Sequence, residues 1–257
     1  MPPATDGEHR PGQEPRIQQT GSMDETRDVD WQGFFNTRDL GGLGSASPGR
    51  IYRAGTVEAV TSTGWQQAVE AGVTTVVDLR DDDEVAADRP VADPPASIRV
   101  VHVDLDDRSD EAFWADADRI DGTPLVLGPF LRGKPERVAA AVRCIAHADP
   151  GAVVFHCGAG RDRTGIVAVV LLSLAGASPA EIADDYARSA PAVSARARVV
   201  GGRDEQPLID AILAREGTST QEVVSGLASG FDAEAYLLRA GLSEDEVEAL
   251  RSRLTDA

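Results

Sequence analysis

The chain is poor in the residues that mark several common chemistries. It has one lysine, Lys134, two cysteines, Cys144 and Cys157, and four histidines in 257 residues. A lone lysine remote from any glycine-rich loop excludes a nucleotide loop of the Walker type, whose lysine must reach the phosphates. Two cysteines in a chain this long make no disulfide framework. Paired Cys or His clusters at metal-ligand spacing are also missing, so neither a metal nor a cofactor is expected. The longest apolar run, Ile166 to Ala175, is about half of a membrane span and reads as a core helix. Stable membrane insertion is therefore not expected. The start lacks a basic segment followed by an apolar one, so no conventional signal peptide is expected. The expected location is the cytoplasm, although export by other routes would leave no such mark. Positive charge is scarce too: the formal net charge is -18. Such a surface repels nucleic acid and anionic membranes at long range, which removes nucleic acid from the expected partners.

What is present is a block near the middle of the chain. Ala152-Val153-Val154-Phe155 leads into His156-Cys157-Gly158-Ala159-Gly160-Arg161-Asp162-Arg163-Thr164-Gly165, and Ile166 to Leu174 is apolar again. This order predicts a buried strand, a glycine-rich loop and a buried helix. Backbone N–H groups of such a loop form an inward nest, and the helix N-terminus adds its positive dipole end. Together they suit a tetrahedral oxyanion. The same field favours the thiolate of Cys157, which makes it a candidate nucleophile near neutral pH. Arg163, six positions on, supplies a charged planar fork for two oxygens. The candidate binding set is Gly158, Ala159, Gly160, Arg161, Arg163, Thr164 and Gly165; the catalytic set is Cys157, Asp162 and Arg163. With the bulk of the molecule acidic, positive charge must be local: Arg161 and Arg163, Arg53 and Arg80 near strand ends, and Arg196, Arg198 and Arg203.

Other readings of the block fare worse. An inert buried cysteine would keep odd company with two arginines and an aspartate. A dinucleotide fingerprint fails because its third glycine position holds Arg163. His156 and Cys157 are adjacent on a strand and point to opposite faces, so they do not share a metal. His156 is expected to orient the loop or bond its backbone. Cys144 sits in a helical pattern, Glu136 to Ile145, as a packing residue.

Strands alternating with helices give the expected fold class, α/β, with a central, mainly parallel sheet and helices on both faces. Residues 1–28 are polar, lack apolar periodicity and read as a disordered leader. Residues 29–257 are expected to be one domain. Thr61-Ser62-Thr63 opens a helix containing Trp65, Val73 to Leu79 is a buried strand, and Ile98 to Leu105 is another. Pro135 fits a helix first turn, and capping boxes stand at Ser178 and Ser243. Glu111 to Lys134 carries Phe113, Trp114 and Phe130 without a clear period.

The loop resembles the signature of the atypical bacterial protein tyrosine phosphatases, and the resemblance spans roughly residues 30 to 255. Asn36-Thr37-Arg38-Asp39-Leu40-Gly41-Gly42 looks like that family's opening motif. Arg50 to Gly55, Val76-Val77-Asp78-Leu79-Arg80 with Glu84, Asp185-Tyr186 with Ser189, and Ala235 to Leu238 follow in family order. The resemblance implies a tyrosine-phosphatase-like fold with a Cys-x5-Arg phosphate loop. It also implies hydrolysis of phosphotyrosine, with phosphoserine and phosphothreonine as additional substrates, through a phosphocysteine intermediate. Asp162 would be the general acid, protonating the leaving oxygen and then activating water. An ion pair within the loop is the competing role for Asp162, since an arginine neighbour lowers a carboxylate's pKa. Asp78, Asp106 and Asp107 are reserve acids. Thr164 would bond the sulfur or cap the helix. Arg38 with Asp39 and Asp78 with Arg80 are supporting candidates, each read as an Arg–Asp pair bracing the loop; Asp185 and Tyr186 would support the core. In relatives, helical segments cover the pocket, so residues 106–134 are a candidate lid, or else a loop that packs its aromatics on the core. One departure is visible: the family usually carries Lys at Arg161. The substrate is then a phosphorylated protein, or alternatively a phosphoinositide or small phosphate ester. A silent phosphate-binding module conflicts with intact Cys157, Asp162 and Arg163, and thiol-based arsenate reduction would need resolving cysteines.

Overall fold

The computed structural model describes residues 27–87 and 89–255. Most of the expected leader thus lies outside the described residues. Its last two residues, however, belong to the folded body: Arg27 is buried, and Asp28 bridges to Arg38.

Among the described residues five strands form one sheet: β1 (Arg38–Asp39), β2 (Ile51–Ala54), β3 (Val73–Asp78), β4 (Arg99–His102) and β5 (Ala152–His156). Their spatial order is β1-β2-β5-β3-β4, with only β1 antiparallel to its neighbour. The register lines up the carboxyl ends. Ala54, His156, Asp78 and His102 lie in one row across four strands. Everything that follows those residues is therefore delivered to one edge of the sheet, where open α/β sheets bind ligands.

Alternation along β5 explains the two-sided core. Val153 and Phe155 face a large cluster with Val77, Leu127, Phe130 and Ile166. Ala152 and Val154 face a smaller one with Trp31, Trp65 and Val76. Helix α1 (Ser62–Glu70), capped by the Thr61 side chain, covers the second face. The other helices are α2 (Asp82–Ala87), α3 (Glu111–Ala117), α4 (Leu127–Gly133), α5 (Pro135–Ala146), α6 (Asp162–Leu174), α7 (Pro179–Ala187), α8 (Ser189–Val200), α9 (Gln206–Arg215), α10 (Thr220–Ala228), α11 (Ala233–Arg239) and α12 (Glu244–Thr255). Helix α6 is buried without a break from Thr164 to Leu172, so it is the central helix of the molecule. Both capping boxes form: Ser178 with Glu181, and Ser243 with Glu246. Among the described residues no helix is long and apolar enough to cross a membrane.

Two expectations change in detail. The strand expected over residues 98–105 is regular only for four residues. Beyond His102 the chain still bonds β3, then turns where Asp104 accepts the Asp107 N–H at 3.0 Å. The unperiodic stretch 111–134 is two short helices joined by a 3-10 turn at Pro124–Val126. Trp114, Leu127, Phe130 and Leu131 are buried in the main core, so much of this segment packs its apolar residues there.

Candidate active site

Strand β5 ends at His156, and Cys157 is the first residue past the sheet edge. Five residues later the chain enters α6, so Arg163 sits in its first turn. Gly160 has φ +70, and a Cβ there would lie 2.6 Å from the Ala54 carbonyl oxygen and the Gly55 nitrogen. Only glycine meets both constraints.

Three carbonyls of the loop are held by donors from earlier in the chain. The Thr56 N–H donates to Gly158 O at 2.9 Å. Asn36 Nδ2 donates to Ala159 O at 2.9 Å and to Gly160 O at 3.0 Å. Arg53 Nη2 also donates to Gly160 O at 2.9 Å. Because a trans peptide sets its N–H opposite its C=O, the amides of Ala159, Gly160 and Arg161 turn toward the cradle. The Gly160 N–H does reach Cys157 Sγ, at 3.3 Å, and Thr164 Oγ1 donates to the same sulfur at 3.1 Å. Both donors are aimed at the one sulfur.

The bracing comes from a buried ion cluster that the sequence did not announce. Asp185 on α7 meets Arg27 at 2.8 Å, Arg38 at 3.0 Å and Arg53 at 2.5 Å. Burial alone would raise the Asp185 carboxyl, but the charges of Arg38, Arg53 and Arg27 hold it far below the usual range. Burial and the Arg53 charge in turn lower Arg38 to about 10. Arg38 Nη1 donates to Asn36 Oδ1 at 2.7 Å, which fixes the amide that holds the loop. The partner of Arg38 is thus Asp185, and the expected pairing with Asp39 is corrected. Neighbouring strand residues point to opposite faces, and Asp39 instead accepts the N–H groups of Gly41 and Gly49.

Asp78 and Arg80 do pair, through Arg80 Nη2 to Asp78 Oδ2 at 2.7 Å and Nε to Oδ1 at 2.9 Å. Although burial opposes it, the Arg80 hydrogen bond and the His156 charge keep the Asp78 carboxyl below its ordinary value. His156 is buried between Asp78, 3.8 Å away, and the Cys157 carbonyl oxygen, 3.4 Å away. It borders the loop backbone as expected.

Arg163 meets Glu84 through both terminal nitrogens, one of them at 3.0 Å from Glu84 Oε1. Asp106 Oδ2 lies 3.5 Å from Arg163 Nη1. Burial raises the Asp106 carboxyl to about 6, against the pull of Arg163 and Arg108. Asp107 points elsewhere, to Arg137 at 2.8 Å and Lys134 at 3.5 Å. Asp162 is held on both oxygens. Tyr186 donates to Oδ1 at 2.5 Å, and Arg161 Nε lies 3.2 Å from Oδ2. Burial, then the charge of Asp162, raises the Tyr186 phenol well above its ordinary value, so it remains a donor. Gly165 gives this tyrosine room, since a Cβ there would lie 2.6 Å from its ring. Of the other arginines named from the sequence, Arg196 stacks 4.3 Å over Phe35.

Sequence reasoning missed Asn36 and Glu84 as site residues, along with Ser189, whose hydroxyl accepts from Arg38 Nη2 at 3.1 Å, and gave Asp185 and Tyr186 only to the core. Asn36 and Glu84 stood in quoted motifs without a role. Their partners are far away in the chain, and no local pattern links them.

The family model described as "Tyrosine phosphatase family" matches residues 29–256. The chain is similar to the tyrosine-protein phosphatase of Nostoc commune, 39% identical over 127 residues, a stretch covering 44% of this chain and 42% of that protein. It thus spans less than half of that relative. It is 26% identical to the triple specificity protein phosphatase PtpB of Mycobacterium tuberculosis, covering 86% of this chain and 97% of the relative. Among solved structures, a cysteine-to-serine variant of TpbA of P. aeruginosa, in complex with pTyr, aligns with TM-score 0.46 and 16% identity. That alignment covers 86% of this chain and 100% of TpbA.

Proposed function

The chain belongs to the tyrosine phosphatase family, and on that premise we propose that it hydrolyses phosphotyrosine through a phosphocysteine intermediate, with phosphoserine and phosphothreonine as further substrates. The single observation that carries this reading is the Cys157 sulfur, set under two donors in a loop whose Gly158, Ala159 and Gly160 carbonyls are held by Thr56, Asn36 and Arg53. A substrate phosphoryl group would take the loop amides and the Arg163 fork on its equatorial oxygens. Cys157 Sγ attacks phosphorus in line, an S–P bond forms, and the ester P–O bond breaks. The departing oxygen takes a proton from a carboxyl group. Water then attacks the same phosphorus, passes its proton to that carboxylate, and the sulfur leaves as thiolate, eased by Thr164. A reducing compartment such as the cytoplasm suits a thiol that must stay free.

For the proton donor we propose Asp162, the position that the resemblance implies. A second reading rests on a specific observation: Asp106 is buried against Arg163 and is raised to about 6, so it keeps its proton closer to neutrality than an ordinary aspartate. Leaving groups separate the two. A true acid matters much for a poor leaving group and little for a good one, so its Asn variant loses about two to four powers of ten only on the former. Equal losses on both count against that carboxyl.

The test of function is phosphate release from phosphotyrosine, phosphoserine and phosphothreonine peptides, inositides and small esters, with Cys157→Ser as control. Phosphotyrosine turnover that disappears in Cys157→Ser supports the reading. Turnover surviving that substitution removes the sulfur from the chemistry, and release confined to inositides or small esters replaces the protein substrate.

A further inference from the structure

The phosphate loop carries two arginines, and their partners lie on different elements. Arg163 meets Glu84 and Asp106 at the sheet edge. Arg161 Nη2 instead donates to the Gly122 carbonyl oxygen at 2.8 Å, while its Nε stays with Asp162. Its side chain is only 7% exposed. The cavity it lines with Pro124, Tyr186 and Ile209 holds about 60 Å³. That volume suits a water or two, whose share of liquid is about 30 Å³ each, and not a phosphorylated headgroup.

We infer that Arg161 is a specificity-determining strap. It ties the turn at residues 118–123 to the phosphate loop and leaves Arg163 as the loop's substrate-facing cation. The site therefore favours esters with one phosphate, such as phosphotyrosine, over substrates with a second phosphate beside the first, such as phosphoinositides. This rests on the phosphatase reading above. A guanidinium spans two divergent acceptors with separate nitrogens fixed in one plane, whereas a lysine carries all its donors on a single nitrogen at the end of a flexible stem. With the family's usual Lys at this position, the turn would lose its tie and the cation would be free for a second phosphate. Arg161 removes both options.

The test compares wild type, Arg161→Lys and Arg161→Met on a phosphotyrosine peptide and a short-chain phosphatidylinositol bisphosphate, with amide exchange followed over residues 118–126. Faster exchange in both variants is expected, with the inositide-to-peptide ratio of kcat/KM rising about tenfold in Arg161→Lys, the size of one recovered charge-assisted contact. A ratio that falls shows that Arg161 itself grips the second phosphate, and an unchanged ratio or unchanged exchange removes the strap. Should neither variant fold, inhibition of wild type by inositol hexakisphosphate against inorganic phosphate reads the same property, and a preference above tenfold for the polyphosphate overturns it. A wild type that turns over no phosphotyrosine refutes the phosphatase reading, while the exchange data still decide the strap.

Discussion

At Gly160 a missing side chain decides the geometry of the loop around Cys157. Gly160→Ala forces a left-handed residue against the end of β2, so about 2 kcal/mol or more of stability should be lost. Urea unfolding measures it; a wild-type midpoint together with wild-type phosphate affinity would show that the loop has slack. Cys157→Ser should keep the fold and bind phosphate while losing turnover. Arg163→Ala should weaken phosphate binding and turnover together, because its fork serves both ground state and transition state. Calorimetric titration with phosphate separates these outcomes. If Arg163→Ala binds phosphate as wild type does, the fork is committed to Glu84 and does not serve the substrate.

The strand, loop and helix from Ala152 to Leu174 were legible because each rests on neighbours in the chain. The apolar run, the glycines and the buried helix sit side by side, so periodicity exposes them. The braces of the loop were not legible. Asp185 collects its arginines from 132 to 158 residues away, and nothing in Arg27 or Arg53 marks the shared destination. Arg38 stood beside Asp39 in sequence yet bonds α7, since a strand turns adjacent side chains apart. The stretch 111–134 hid its helices because each is too short to show a period. A prediction belongs to this ion cluster. Asp185→Asn leaves three buried guanidiniums without their carboxylate, a loss of about 3–5 kcal/mol. Chemical denaturation tests it, and faster exchange of the Gly160 and Arg161 amides should accompany the loss. A change under about 1 kcal/mol would mean that the arginines find water instead.

For the whole molecule, two aspartates give opposite acid responses. Asp106 is protonated up to about 6 in the native state against 3.8 for the unfolded chain. The native state binds the extra proton between those values, so this group costs stability as pH rises through them. Asp106→Asn should therefore stabilise by on the order of 2–3 kcal/mol above about pH 7 and by little below about pH 4. Asp185 works in reverse. Its native value lies far below 3.8, so its contribution is present above that value and is lost as pH falls toward the native one. Unfolding curves of both variants across pH check the signs; parallel curves for Asp106→Asn and wild type would show that its carboxyl titrates normally. The large negative charge, by contrast, was plain from composition, and its counterpart is local: the arginines gathered beneath and beside one loop.

The outward carbonyls have a consequence for biogenesis. They are gripped by Asn36, Arg53 and Thr56 from the front of the chain, and Arg53 is itself seated on Asp185 far behind Cys157. A nascent polypeptide that has emerged only as far as the cysteine therefore has the sulfur but not the cradle. The loop around Cys157 is completed only by closure of the tertiary structure, once synthesis has passed α7.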